Sequence, residues 1–176
     1  MQRYVAFLRA INVGGHTVKM DRLRALFAEL GFASVETFIA SGNVIFEAKG
    51  DGAALEETIE RYLKQSLGYE VVTFLRTPAE LAAVAAHEPF AGAAEAYAIY
   101  VGFLKAKPDA ERVKAVQGLS SEVNELAIHG RELYWLSRMR TGDNPVTGAR
   151  LEKALAGPAT LRNLTTVRKL AEKYRE

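Results

Sequence analysis

The sequence predicts an α+β protein: two βαββ units in tandem, with a helical C-terminal segment. Three observations carry this. Strand and helix patterns alternate in the order β-α-β-β-α-β over the first 75 or so residues. A second copy of part of that order returns 88 residues later. Helical apolar spacing then dominates the last stretch, from Gly148 onward.

The first strand is Arg3 to Arg9. Its alternate residues are apolar on both faces, as expected of a central strand. A loop with Gly14-Gly15 follows. Met20, Leu23, Leu26, Phe27 and Leu30 then recur at helical spacing until Gly31. Val35 to Ala40 and Asn43 to Phe46 read as strands joined across Ser41-Gly42, a pair suited to a hairpin. Asp51 is placed to cap a helix whose stripe is Leu55, Ile59, Tyr62, Leu63 and Leu67, stopped by Gly68. Glu70 to Leu75 is the next strand. This order is the split βαβ, ferredoxin-like signature.

Thr77-Pro78-Ala79-Glu80 reads as a capping box with proline at the first helical position. That helix ends before Pro89, and Phe90 to Ala94 is a small-residue connector. The expected divisions are therefore 1–76, a ferredoxin-like unit; 77–95, helix and linker; and 96–176, a second βαββ unit with C-terminal helices. In the second unit, Ala96 to Leu104 is a strand and Pro108 to Leu119 a helix. Val123 to Ile128 and Glu132 to Leu136 form a hairpin across His129-Gly130. Thr37 to Phe46 echoes Glu125 to Tyr134 at the offset of 88, with the glycines coinciding. No fourth strand is visible in the second copy, and helices at Gly148 to Ala156 and Thr165 to Tyr174 are expected in its place.

Composition excludes several functions. The chain has 176 residues and no cysteine, so disulfides, thiolate metal sites and cysteine nucleophiles are absent. The longest uncharged run is ten residues, whereas a membrane span needs about 20. A cytoplasmic protein with no membrane partner is expected. Net charge is only +2, but it is unevenly spread. Residues 1–137 hold 14 basic and 17 acidic side chains, while residues 138–176 hold 9 and 4. A local basic region says more about partners than the total does.

Three ordered stretches carry a family resemblance. Arg9-Ala10-Ile11-Asn12-Val13-Gly14-Gly15, Ser41-Gly42-Asn43-Val44-Ile45-Phe46 and Thr160-Leu161-Arg162-Asn163-Leu164-Thr165-Thr166-Val167-Arg168-Lys169-Leu170 resemble the signature stretches of the bacterial domain-of-unknown-function family 1697. The resemblance spans nearly the whole chain. It departs at Ala10, where family members often carry glycine. It implies a fold and boundaries, but no activity and no catalytic residues.

Candidate residues fall into two groups. The loop Asn12 to Lys19 joins a central strand to a helix start, where free amides and the helix dipole favour an anion. Arg9, Asn12, Gly14, Gly15 and Lys19 are its candidate contacts. The GxxxxGK[ST] and GxGxxG spacings are absent, and a plain glycine turn is the favoured reading of the loop. The second group is Arg138, Arg140, Arg150, Lys153, Arg162, Arg168 and Lys169, with Asn163, Thr165 and Thr166 beside it. Arginine forks grip phosphate in two places, while Asn163 and Thr165 also suit plain helix capping.

Ile99-Tyr100-Val101-Gly102-Phe103-Leu104 resembles the first-strand motif of RNA-recognition modules. The partner motif, however, places Asn43 and Ile45, or Arg131 and Leu133, where stacking aromatics belong. The three histidines have no metal-ligand spacing, and His16 alone is a candidate acid–base group. Ser41 reads as a turn residue.

The expected function is binding of a phosphate-bearing ligand, nucleotide or nucleic acid, through the basic region and the glycine loop. One alternative is an enzyme acting on a small anionic substrate, with His16 as proton carrier. Another is a ligand-free assembly protein whose exposed strands pair between copies into a homo-oligomer. No cofactor and no metal are expected.

Overall fold

The computed structural model describes residues 1–12, 14–39 and 42–176. The Ser41-Gly42 turn expected from the sequence therefore lies partly outside the described residues. The chain divides into two compact units: Met1–Ala82 with Leu170–Glu176, and Ala83–Lys169. Each contains one four-stranded antiparallel sheet.

In the first unit the elements are β1 (Gln2–Leu8), α1 (Met20–Glu29), β2 (Ala33–Thr37), β3 (Asn43–Ala48), α2 (Gly52–Leu67) and β4 (Thr73–Arg76). The sheet order is β2-β3-β1-β4. β1 lies inside the sheet, as its two apolar faces require. Tyr4, Ala6, Leu8, Val44 and Phe46 face α1 and α2, where they meet Leu23, Phe27, Ile59 and Leu63. Phe32 stacks on Phe46 with ring centroids 4.5 Å apart, and Phe27 lies 5.5 Å from Phe46. The Asp51 carboxylate caps α2 by accepting from the Ala54 N–H at 3.4 Å, and Gly68 closes α2 at φ +85°. α3 (Pro78–Ala86) follows, and its capping box is formed. Thr77 N–H donates to Glu80 Oε2 at 2.8 Å, and Glu80 N–H donates to Thr77 Oγ1 at 3.2 Å. Residues 170–176 complete this unit. Tyr174 lies edge-on to Phe38 at 6.3 Å, under the Arg3 guanidinium at 5.9 Å.

The second unit repeats the plan with β5 (Ala98–Phe103), α4 (Ala110–Gln117), β6 (Asn124–His129), β7 (Glu132–Ser137), α5 (Gly148–Leu155), β8 (Thr160–Asn163) and α6 (Leu164–Lys173). Its sheet order is β6-β7-β5-β8. The fourth strand missing from the sequence reading therefore exists. β8 has only four residues, too few to show alternation against the helical pattern that follows it. It is held by its pairing with β5, Tyr100 to Asn163 through Phe103 to Thr160. The boundaries between units fall inside α3 and inside α6.

Strand register corrects the internal echo. Val5 pairs with Ile45 on one side and Arg76 on the other; Val101 pairs with Tyr134 and Arg162. Matching Tyr4-Val5-Ala6-Phe7-Leu8 to Tyr100-Val101-Gly102-Phe103-Leu104 makes Phe46 the counterpart of Trp135, one residue beyond the position that the offset of 88 gives. A one-residue slip moves every side chain to the opposite face, and the faces decide the matter. Phe46 and Trp135 both lie in the helix-side cores. The cause is hairpin length. Phe38 N–H reaches Asn43 O at 3.2 Å, leaving four residues between them, whereas His129 pairs directly with Glu132 across Gly130-Arg131. The coincident glycines thus sit in turns of different length.

Candidate functional site

The register also matches Arg76 with Arg162. Arg76 is the last residue of β4 and Arg162 the last but one of β8, and each donates from Nη1 to the carbonyl of the preceding residue at 2.9 Å, Leu75 or Leu161. Arg162 also donates to Thr160 Oγ1 at 2.8 Å. Burial lowers the Arg162 pKa to about 10, so the group stays charged at neutral pH. The next residue in each copy caps a helix. Thr77 caps α3, and the Asn163 side chain accepts from Thr165 N–H at 2.9 Å at the start of α6.

The other nominated arginines differ in their surroundings. Arg138 is paired with Glu125 at 2.6 Å and donates to the Glu122 carbonyl at 3.2 Å. Arg150 donates to Pro145 O at 2.7 Å. Arg140 is exposed, in a loop held from beneath by buried amides. There Asn124 and Asn144 exchange side-chain hydrogen bonds at 2.8 and 2.7 Å, and Asn144 reaches Ser137 Oγ at 2.9 Å. Lys153 and Lys169 are exposed.

The glycine-loop residues all belong to the first unit. Arg9 follows β1 and donates its backbone N–H to Val72 O at 2.9 Å. Asn12 Oδ1 accepts from Val18 N–H at 2.7 Å and so closes the loop. Gly14 and Gly15 take φ +62° and +84°, which a side chain would resist. Ala10 shares that conformation at φ +58°, which explains why glycine suits its position. His16 stacks on Tyr69 at 3.9 Å, and Tyr69 donates to Ile11 O at 2.8 Å. Lys19 is exposed immediately before α1 and makes no side-chain cap. Asn43, Ile45 and Leu133, three of the four residues at the RNA-module stacking positions, are buried.

Arg168 is exposed as well, but it also borders a cavity. That cavity, of about 210 Å³, lies in the second unit and is lined together with His87, Glu88, Phe90, Ile99, Tyr134 and Leu164. Leu164 and Arg168 are four apart in α6 and present one face to it. Among the described residues, no carboxylate forms an ion pair with Arg168. His87 follows the last residue of α3, and its ring stacks on His129 at 4.1 Å and lies 5.0 Å from Tyr134. Burial, and then the charge of His129, hold the His87 pKa below its ordinary value. Burial raises that of Tyr134, which stays a neutral phenol and donates to Val84 O at 3.4 Å. The site therefore offers one fixed cation, a neutral imidazole, a phenol, a carboxylate and an apolar wall.

Sequence reading nominated Arg168 through its charge but not His87 or Tyr134. Nothing in the spacing of His87 and His129 announces their contact. No group of three or more His, Cys, Asp or Glu side chains fit to hold a metal occurs among the described residues. No helix among them is long and apolar enough to cross a membrane.

The profile of a family described as "Protein of unknown function (DUF1697)" matches residues 1–134. The chain belongs to the DUF1697 family. The structure of conserved bacterial protein SP0830 from Streptococcus pneumoniae is similar at 24% identity and a TM-score of 0.77, covering 100% of this chain and 99% of that one. At that identity the likeness shows the fold alone. No curated protein matches.

Proposed function

We propose that this DUF1697 chain binds a small phosphate-bearing ligand in the cavity of the second unit, with Arg168 gripping the phosphate. The observation that carries this reading is an arginine, with no ion-pair partner among the described residues, that lines a cavity. A guanidinium fork matches two phosphate oxygens at once. The neutral His87 ring and the Tyr134 side chain supply polar edges, while Phe90, Ile99 and Leu164 take the carbon part of the ligand. Glu88 shares the lining and disfavours a second acidic group near it. A cavity of about 210 Å³ is smaller than the ~300–1,000 Å³ of drug-sized pockets. It suits a phosphate on a short skeleton better than a nucleic-acid strand.

A thermal-shift series with inorganic phosphate, a sugar phosphate and a mononucleotide tests this. The melting temperature rises with ligand concentration, reaching a stabilisation of about 2.7 kcal/mol at a hundredfold excess over Kd. Arg168→Gln removes the rise. No shift with any of the three at millimolar concentration overturns the reading.

A further inference from the structure

Two basic groups face the same cavity, and only one carries a permanent charge. Arg168 projects from α6; His87 projects from the segment after α3. The groups facing His87 come from every element packed around it. On its own segment there is Glu88. On β6 there is His129, stacked on it at 4.1 Å with an interplanar angle of 17°. On β7 there is Tyr134, with Glu132 on the same strand paired to His129. On α6 there is Arg168. Burial, and then the charge of His129, oppose a proton on His87, and Arg168 shares its cavity as a further positive charge.

A doubly charged anion against Arg168 changes that balance. It adds negative charge to the cavity that His87 lines, and an imidazolium becomes the favoured form. We propose that His87 takes up a proton from solvent as the anion enters, so that the site binds dianions more tightly in acid. This rests on the reading of the cavity given above. Linkage makes the effect reciprocal: the factor by which a proton tightens anion binding is the factor by which the anion tightens proton binding.

Sulfate is the probe, because it stays doubly charged where phosphate itself titrates. Sulfate affinity is measured by calorimetry near pH 5.5 and near pH 8, and the His87 imidazole is titrated by NMR with and without sulfate. The expected result is roughly tenfold tighter binding in acid, matched by a rise of about one unit in the His87 pKa at saturation. His87→Gln abolishes the pH dependence; His129→Gln retains it. Arg168-dependent binding that is equal at both pH values overturns the proton uptake and leaves the cavity reading standing. A pH dependence that vanishes with His129→Gln and survives His87→Gln also overturns it. Absence of sulfate binding at both pH values brings down the cavity reading itself.

Discussion

The two units reach the same strand order with different interiors. In the first, the residue opposite Tyr4 is Phe46, and Phe27 and Phe32 extend a wholly apolar stack around it. In the second, the residue opposite Tyr100 is Trp135, whose indole N–H donates to Asn124 Oδ1 at 2.8 Å and joins the Asn124–Asn144 pair. Size is kept while polarity is not. The buried amides anchor the loop that carries Arg140, so the second unit uses part of its core to hold a surface segment. Among its described residues the first unit shows no such amide pair beside Phe46; its buried polar side chains are Asn43, Glu56, Thr73 and Arg76, and Asn43 donates to Phe38 O at 3.0 Å.

The strongest test of this contrast is truncation at the matched positions. Phe46→Ala and Trp135→Ala should each cost about 3–5 kcal/mol in urea unfolding. Trp135→Phe separates them further: it keeps the ring but strips Asn124 of a donor, and should cost about 1–3 kcal/mol. Indifference to Trp135→Phe would mean that the amide pair does not depend on the indole.

A smaller effect probes volume. Ala6 pairs with Val44 in the first sheet; Gly102 pairs with Leu133 in the second. One carbon has moved across the strand pair. A Cβ at Gly102 would meet Leu161 at 3.1 Å and Leu133 at 3.2 Å. Gly102→Ala should therefore destabilise by about 1–3 kcal/mol, and the added Leu133→Val should recover most of it. Additive losses in the double variant would refute the exchange.

The smallest effect concerns backbone. Ala10 in the first unit and Ala156 in the second occupy left-handed conformations at φ +58° and +54°. Glycine at either position relieves about 1 kcal/mol, partly offset by the greater freedom of its unfolded chain. A rise of a few degrees in Tm is expected for each, and a fall at either would show that the methyl group makes a contact worth more than the strain.

How far the sequence could be read follows from these same elements. β1 was legible because both its faces are apolar, and α3 because Thr77 and Glu80 form a reciprocal cap. β8 was not, because four residues before a helix show no period, and its existence depends on a partner strand 60 residues away. The duplication was visible in its apolar positions but misaligned by one, since turn length is set by backbone pairing and not by where a glycine falls. The cavity was half legible. Charge pointed to Arg168, but the imidazole and phenol around it are brought there by the segment after α3 and by β7, which no local pattern links.

The unit boundary inside α6 has a consequence for biosynthesis. Residues 1–82 emerge first, yet their unit also includes 170–176, with Tyr174 buried against Arg3 and Phe38. At about 5–20 residues per second, several seconds of translation separate these partners. During that interval the nascent first sheet waits on the ribosome without its last side chains, and only later synthesis can seal it.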